Sequence, residues 1–262
     1  MNIKEYIRPS SLDEAYEKLT SKERAVILGG GGYLKLGNKE IERAIDISNL
    51  GLEFINEKED SIEIGAMTTL REIEINKITN ENFNGILSEA VKPILGVQMR
   101  NIFTIGGSVY GRYGFSDIIT ALLALDTYVE LYKEGRMSLE KFLNREHKEK
   151  DILTKIVILK DNRKASFKSL RNTSTDFAIL NAAVSRVENN FKVVVGARPG
   201  IAKLSKEAAE YLSVVELNEE KAVKAGEIAA DSLEFGSNIR GSAEYRKEIC
   251  KVLVKRGILE VI

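Results

Sequence analysis

The hydrophobic and polar positions along the chain change period several times, and each change marks an element. Near the start, Leu12, Ala15, Tyr16 and Leu19 recur at helical spacing behind a Ser11–Glu14 capping box, which predicts a helix. The apolar run AVIL (25–28) predicts a strand that feeds straight into GGGG (29–32), and AIDI (44–47) predicts a second strand. LEFINEKEDSIEIGA predicts two strands around a charged turn at 57–60, and TTLREIEI and FNGILSEAVK predict helices, the latter closed by Pro93. DIITALLALD is apolar nearly all round and predicts a buried helix, while YVELY (128–132) and ILTKIVIL (152–159) predict strands. KDNRKAS is polar and turn-like and marks a boundary near 160–165. Beyond it, FKSLRNTSTDFAILNAAVSRVENNFKVVVGA reads as strand, helix, strand. The final segment predicts helices, with Tyr245, Ile249, Val252 and Leu253 on one side.

Two glycine-rich stretches interrupt this pattern: GGGG, and TIGGSVYGRYGFSD (104–117), which reads as a loop ending on Asp117. Backbone without Cβ can approach a ligand closely and offer N–H groups to phosphate oxygens. The GGGG run is not a dinucleotide fingerprint of the doubly wound type, because YLKLGNKE after Gly32 is too short and polar for the required long helix. It lacks the lysine of a P-loop as well. Asp117 repels phosphate and suits a hydroxyl-bearing sugar or ribityl chain, and it also reads as the N-cap of a helix starting at Ile118.

Composition narrows the chemistry. With 39 basic and 39 acidic residues among 262, the net charge is zero, which removes the usual electrostatic basis for nucleic-acid binding. No apolar stretch approaches the roughly 18 residues of a membrane span. The start lacks a signal-peptide pattern, so a reducing cytoplasm is the expected location. One cysteine and one histidine exclude a Cys-rich zinc site or an iron–sulfur cluster, and His147 sits in a charged stretch. No catalytic side chain and no metal ligand is expected; any redox chemistry belongs to an organic cofactor.

QMRNIFTIGGSVYGRYGFSDIITALLALD resembles the QIRNxxTIGGNxxNASPxGDxxPxLLALDA pattern of the FAD-binding medium subunits of molybdenum hydroxylases, the xanthine dehydrogenase and carbon monoxide dehydrogenase flavoprotein family. LGGGGYL is similar to that family's AGGTDLL loop. IDISNL, IEIGAMTTLREIE, FKSLRNTSTDFAILNAAVSRV and NIRGSAEYR follow in the family's order, so the resemblance spans nearly the whole chain.

The resemblance implies an α+β fold. A PCMH-type (vanillyl-alcohol-oxidase-like) FAD-binding domain at 1–162, with α/β lobes of about 1–55 and 56–162, would precede a C-terminal α+β domain at 163–262. The FAD contacts it implies are Leu28, Gly29, Gly30, Gly31, Gly32, Tyr33 and Leu34 in the first loop, and Thr104, Ile105, Gly106, Gly107 and Ser108 in the second. Ile94, Leu95, Asp117, Leu153 and Lys168 complete the set. The implied partners are a molybdopterin-binding large subunit and a 2Fe–2S small subunit, with NAD or another acceptor receiving the electrons, and the likeness leans toward the purine or xanthine type. The chain departs from the pattern at Ser108, Gly111 and Tyr113–Phe115, and at Gly32–Tyr33, where the family has Thr-Asp. Two rival readings follow: a homologue that has lost FAD and serves as a scaffold, or a self-contained flavin oxidoreductase on the same fold.

Overall fold

A computed structural model of the chain describes every residue except Met1, Leu36, Lys39 and 147–149, so His147 lies outside the described residues. The chain divides into two compact units. One comprises 1–72, 97–111 and 127–158; the other comprises 73–96, 112–126 and 159–262.

The first unit holds two sheets. Strands β1 (Asn2–Ile7), β2 (Ala25–Leu28) and β3 (Glu40–Asp46) form a parallel sheet in the order β1-β3-β2. The helix Leu12–Thr20 covers it, burying Ala15 and Leu19 against Ala25 and Ile45. Its capping box forms with a shift. Ser11 Oγ accepts from the Glu14 amide at 3.2 Å, but the Glu14 carboxylate takes the Ser10 amide at 2.8 Å instead of that of Ser11. The sequence reading gave no strand at β1, whose residues are mostly exposed and lack apolar alternation; pairing with β3 makes it a strand. The second sheet, β4 (Ile55–Glu57), β5 (Ser61–Gly65), β6 (Thr127–Leu131), β7 (Gly135–Ser138) and β8 (Leu153–Leu159), has the order β4-β5-β8-β6-β7.

The second unit is built on an antiparallel sheet of β9 (Lys164–Leu170), β10 (Leu180–Val187), β11 (Asn190–Gly196) and β12 (Lys203–Leu204). Side chains alternate between its faces. Leu180, Ala182 and Val184 meet the helices Lys206–Val214, Glu219–Ser232 and Ala243–Val261 in one apolar core. Asn181 and Ser185 face the other way, where Thr120 Oγ1 bonds Asn181 Oδ1 at 2.9 Å and Ser185 Oγ bonds the Ala124 carbonyl.

Two expectations fail in this unit. The segment read as a helix is β10: its residues are small or apolar at nearly every position because both faces of this inner strand are covered, and that erases the two-residue period. In the helix Ala243–Val261, Leu253 is buried and Ile249 packs against the core as expected, but Tyr245 and Val252 are exposed, and the buried line is Arg246, Cys250, Leu253, Val254, Gly257, Ile258 and Val261. The misleading signal is Arg246. It is fully buried, and its guanidinium donates to the carbonyls of Ile179 (2.8 Å), Gly236 (2.8 Å) and Gly241, and to Asn238 Oδ1 (2.6 Å). A pattern search scores arginine as surface.

Candidate functional site

The GGGG run follows β2 directly. Gly30 and Gly31 have φ of +63° and +72°, the left-handed region where glycine carries no Cβ penalty. The Gly31 amide closes onto the Gly29 carbonyl at 2.6 Å, and a one-turn helix, Gly32–Lys35, begins immediately afterwards.

Three of the four glycines are docked on residues 102–107, the start of the second glycine segment and the two residues before it. A β-carbon on Gly29 would lie 2.8 Å from Thr104 Oγ1, one on Gly30 would lie 1.7 Å from the Ile102 carbonyl oxygen, and one on Gly32 would lie 2.0 Å from the Phe103 ring. Gly31 differs: among the described residues, nothing stands within 4 Å of its absent β-carbon. The run thus presents a single open apex on a loop whose other positions are filled.

The second segment is not the loop the sequence suggests. Residues Ile105–Tyr110 form a short helix capped by Thr104, whose Oγ1 accepts from the Gly107 amide at 3.1 Å. Its early amides are already committed: Ile105 to the Thr68 carbonyl (3.0 Å), Gly106 to Ala66 (2.9 Å) and Ser108 to Thr104 (3.0 Å). Gly106 and Gly107 are small because protein approaches them. A β-carbon would lie 2.5 Å from the Ala66 oxygen at Gly106 and 3.2 Å from the Gly29 oxygen at Gly107. The amide donors expected from this segment are largely spent on the fold, leaving the Thr104 hydroxyl proton and an exchangeable Gly107 amide. Tyr110 accepts from the Asp151 amide at 3.3 Å and packs against Phe142, within the first unit.

Asp117 belongs to the second unit. Ser116, not Asp117, is the N-cap: its Oγ accepts from the Ile119 amide, and Asp117 is the first helical residue. Asp117 is 4% exposed; its two carboxylate oxygens meet Arg171 Nη2 at 2.6 Å and Asn181 Nδ2 at 2.7 Å. Burial pushes its carboxyl up, with Arg171 and Asn181 opposing. Arg171 also donates to the Asp176 carbonyl at 2.7 Å, and its buried Nε has no partner among the described residues. Sequence reasoning missed Arg171 and Asn181, and only the spacing of the likeness around them was a signal.

The remaining candidates belong to both units. Ile94 is buried, and Leu95, in the same unit, holds a φ of +46°, a strained value for a non-glycine residue. Leu153 is a buried residue of β8 in the first unit. Lys168 stands opposite Ala182 on β10, so it faces the helix Ala243–Val261 and pairs with Glu260. Asp117 bonds Asn181, on the opposite face of that sheet. Burial raises the Glu260 carboxyl, but Lys168 and Ser166 outweigh it and hold it below the usual range. Around Asp117, Tyr113 stacks on Phe115 at 5.2 Å and Phe115 meets Phe177 at 4.4 Å.

Comparison with known proteins matches residues 1–158 to the FAD binding domain in molybdopterin dehydrogenase and residues 165–261 to the CO dehydrogenase flavoprotein C-terminal domain. The nicotine 6-hydroxylase medium subunit of Paenarthrobacter nicotinovorans is 28% identical, over 97% of this chain and 96% of its own length. The glyceraldehyde dehydrogenase medium chain of Sulfolobus acidocaldarius is 24% identical, over 98% and 97%. Among solved structures, the fold matches quinoline 2-oxidoreductase from Pseudomonas putida with a TM-score of 0.90 at 21% identity, covering 100% of this chain and 97% of that one. It matches reconstituted CO dehydrogenase from Oligotropha carboxidovorans with a TM-score of 0.91 at 24% identity, covering 100% and 98%. Among the described residues no helix is long and apolar enough to cross a membrane.

Proposed function

Because the chain belongs to the family of FAD-binding medium subunits of molybdopterin dehydrogenases, with FAD as its cofactor, we propose that the open apex at Gly31 receives the cofactor's diphosphate. The observation that carries this is the contrast within one glycine run: Gly29, Gly30 and Gly32 are filled by protein, and Gly31 alone faces space that a β-carbon would enter. Residues Leu28 to Leu34 form the cradle. Helix geometry leaves first-turn amides such as Gly32 and Leu34 without intrahelical acceptors. From the second segment, the Thr104 hydroxyl and the Gly107 amide are the donors that can turn to a phosphate oxygen. Ile105, Gly106 and Ser108 support them, holding the backbone through bonds to Thr68, Ala66 and Thr104.

Ile94, Leu95, Asp117, Leu153 and Lys168 stay in the proposed set as carried over from the family pattern. Lys168 joins it only if its pairing with Glu260 opens. When bound, FAD would supply the electron-transfer chemistry between a 2Fe–2S partner subunit and NAD or another acceptor, and substrate oxidation would fall to a molybdopterin-binding partner. This chain's side chains hold and orient the cofactor; none is assigned a proton-transfer role.

The test compares two glycines of like conformation. Gly31 (φ +72°) and Gly135 (φ +74°, the first residue of β7) both have open space at the absent β-carbon among the described residues, so alanine strains both backbones alike. Gly31→Ala should lose FAD from the purified chain, read by visible absorbance and by titration of the flavin-free protein, while Gly135→Ala keeps it. Equal flavin retention in the two variants would remove the diphosphate from Gly31.

A further inference from the structure

Gly32 has a conformation open to any residue, so its missing side chain has another cause. The Phe103 ring lies over it, 2.0 Å from where a β-carbon would stand. Phe103 is buried, with its amide on the Met99 carbonyl and its carbonyl accepting from the Leu70 amide, so the ring sits on fixed backbone. Tyr33, the next residue of the glycine loop, stacks on that ring with centroids 4.5 Å apart and planes 3° from parallel. Gly32, Phe103 and Tyr33 are therefore a matched set. The glycine admits the ring, and the ring holds the tyrosine. This contact fixes the loop on the far side of Gly31, while Gly29 and Gly30 fix it on the near side against Thr104 and Ile102.

We propose that Tyr33 is a positioning residue: through its stack on Phe103 it holds the Gly31 apex in its binding geometry before a dinucleotide diphosphate arrives. The inference rests on the FAD reading above and adds how this chain shapes that site. Preorganisation raises affinity by removing the cost of ordering a loop on binding. Left-handed glycines are the positions with most freedom to lose, so a loop with two of them gains most from a clamp.

The experiment uses the full-length chain stripped of flavin, titrated with FAD, with hydrogen exchange of amides 29–35 measured before FAD is added. Tyr33→Ala should weaken FAD binding by about tenfold and speed exchange of these amides. Tyr33→Phe keeps the stacked ring and should restore both. Gly32→Ala displaces Phe103 and should resemble Tyr33→Ala, and the double variant should be little worse than either single one, because both remove one contact. The proposal is overturned if Tyr33→Ala binds FAD as wild type does, if Tyr33→Phe is as weak as Tyr33→Ala, or if exchange quickens with affinity unchanged. A wild-type chain that takes up no FAD would instead sink the cofactor reading itself.

Discussion

Asp117 and Arg171 form a buried ion pair, 2.6 Å apart, with side chains 4% and 8% exposed. Both carboxylate oxygens are engaged by protein, and Ser116 caps the helix. Asp117→Ala therefore removes the counter-charge of a buried guanidinium and should cost about 3–5 kcal/mol, more than the roughly 1 kcal/mol of a lost cap. Urea denaturation measures it. A double Asp117→Leu, Arg171→Met variant should unfold at higher urea than Asp117→Ala alone. If it does not, the pair is no determinant of stability, and Asp117 is left with the proposed flavin role alone.

Gly107→Val should lower flavin retention and thermal stability together. Its side chain would press on Thr104 Oγ1 and the Gly29 oxygen, 3.1 and 3.2 Å from the new β-carbon, and overpacking of this kind costs about 1–3 kcal/mol. Melting curves and flavin absorbance on one sample separate the causes. Flavin loss at an unchanged melting temperature would mean that the valine meets the cofactor instead of the neighbouring loop.

Cys250 is fully buried, and burial pushes its thiol up to about 12. The thiolate is the reactive form, so at pH 8 only about one thiol in ten thousand is ionised even before access is considered. The native chain should show no titre with a thiol-specific disulfide reagent at pH 8, and one equivalent after denaturation. A full titre in the native state would show that the helix Ala243–Val261 opens readily.

Much of the fold was legible because buried and exposed residues alternate where only one face is covered. The helix Leu12–Thr20 and the strand β6 follow from their patterns, while β4 and β5 stood out as runs on either side of a charged turn. The reading failed where burial has no period, as in β10, and where a charged residue is internal, as at Arg246. At the site, the glycines stood out in the sequence, but their reasons did not. Gly29, Gly30, Gly32, Gly106 and Gly107 are small because other parts of the chain press on them, and of this group Gly31 is the one left open among the described residues. A one-dimensional pattern cannot separate a glycine that admits a ligand from one that admits a neighbouring backbone. Asp117 was legible as a residue of consequence, whereas its partners Arg171 and Asn181 lie more than fifty positions downstream and only folding brings them to it.

The sheet β9–β12 takes its two coverings from distant parts of the chain: the helix Asp117–Ala124 on the Asn181 face and the helix Ala243–Val261 on the Ala182 face. On the ribosome, the first covering is made before any strand of that sheet exists, and the second only after all four have emerged. Until the segment carrying Arg246 to Val261 is synthesised, Leu180, Ala182 and Val184 lack the helix that packs across β9 and β10, and the carbonyls of Ile179, Gly236 and Gly241 lack the Arg246 guanidinium. Nascent chains halted between residues 196 and 243 should therefore expose an apolar strand surface that chaperones bind, and lose it once that segment is complete.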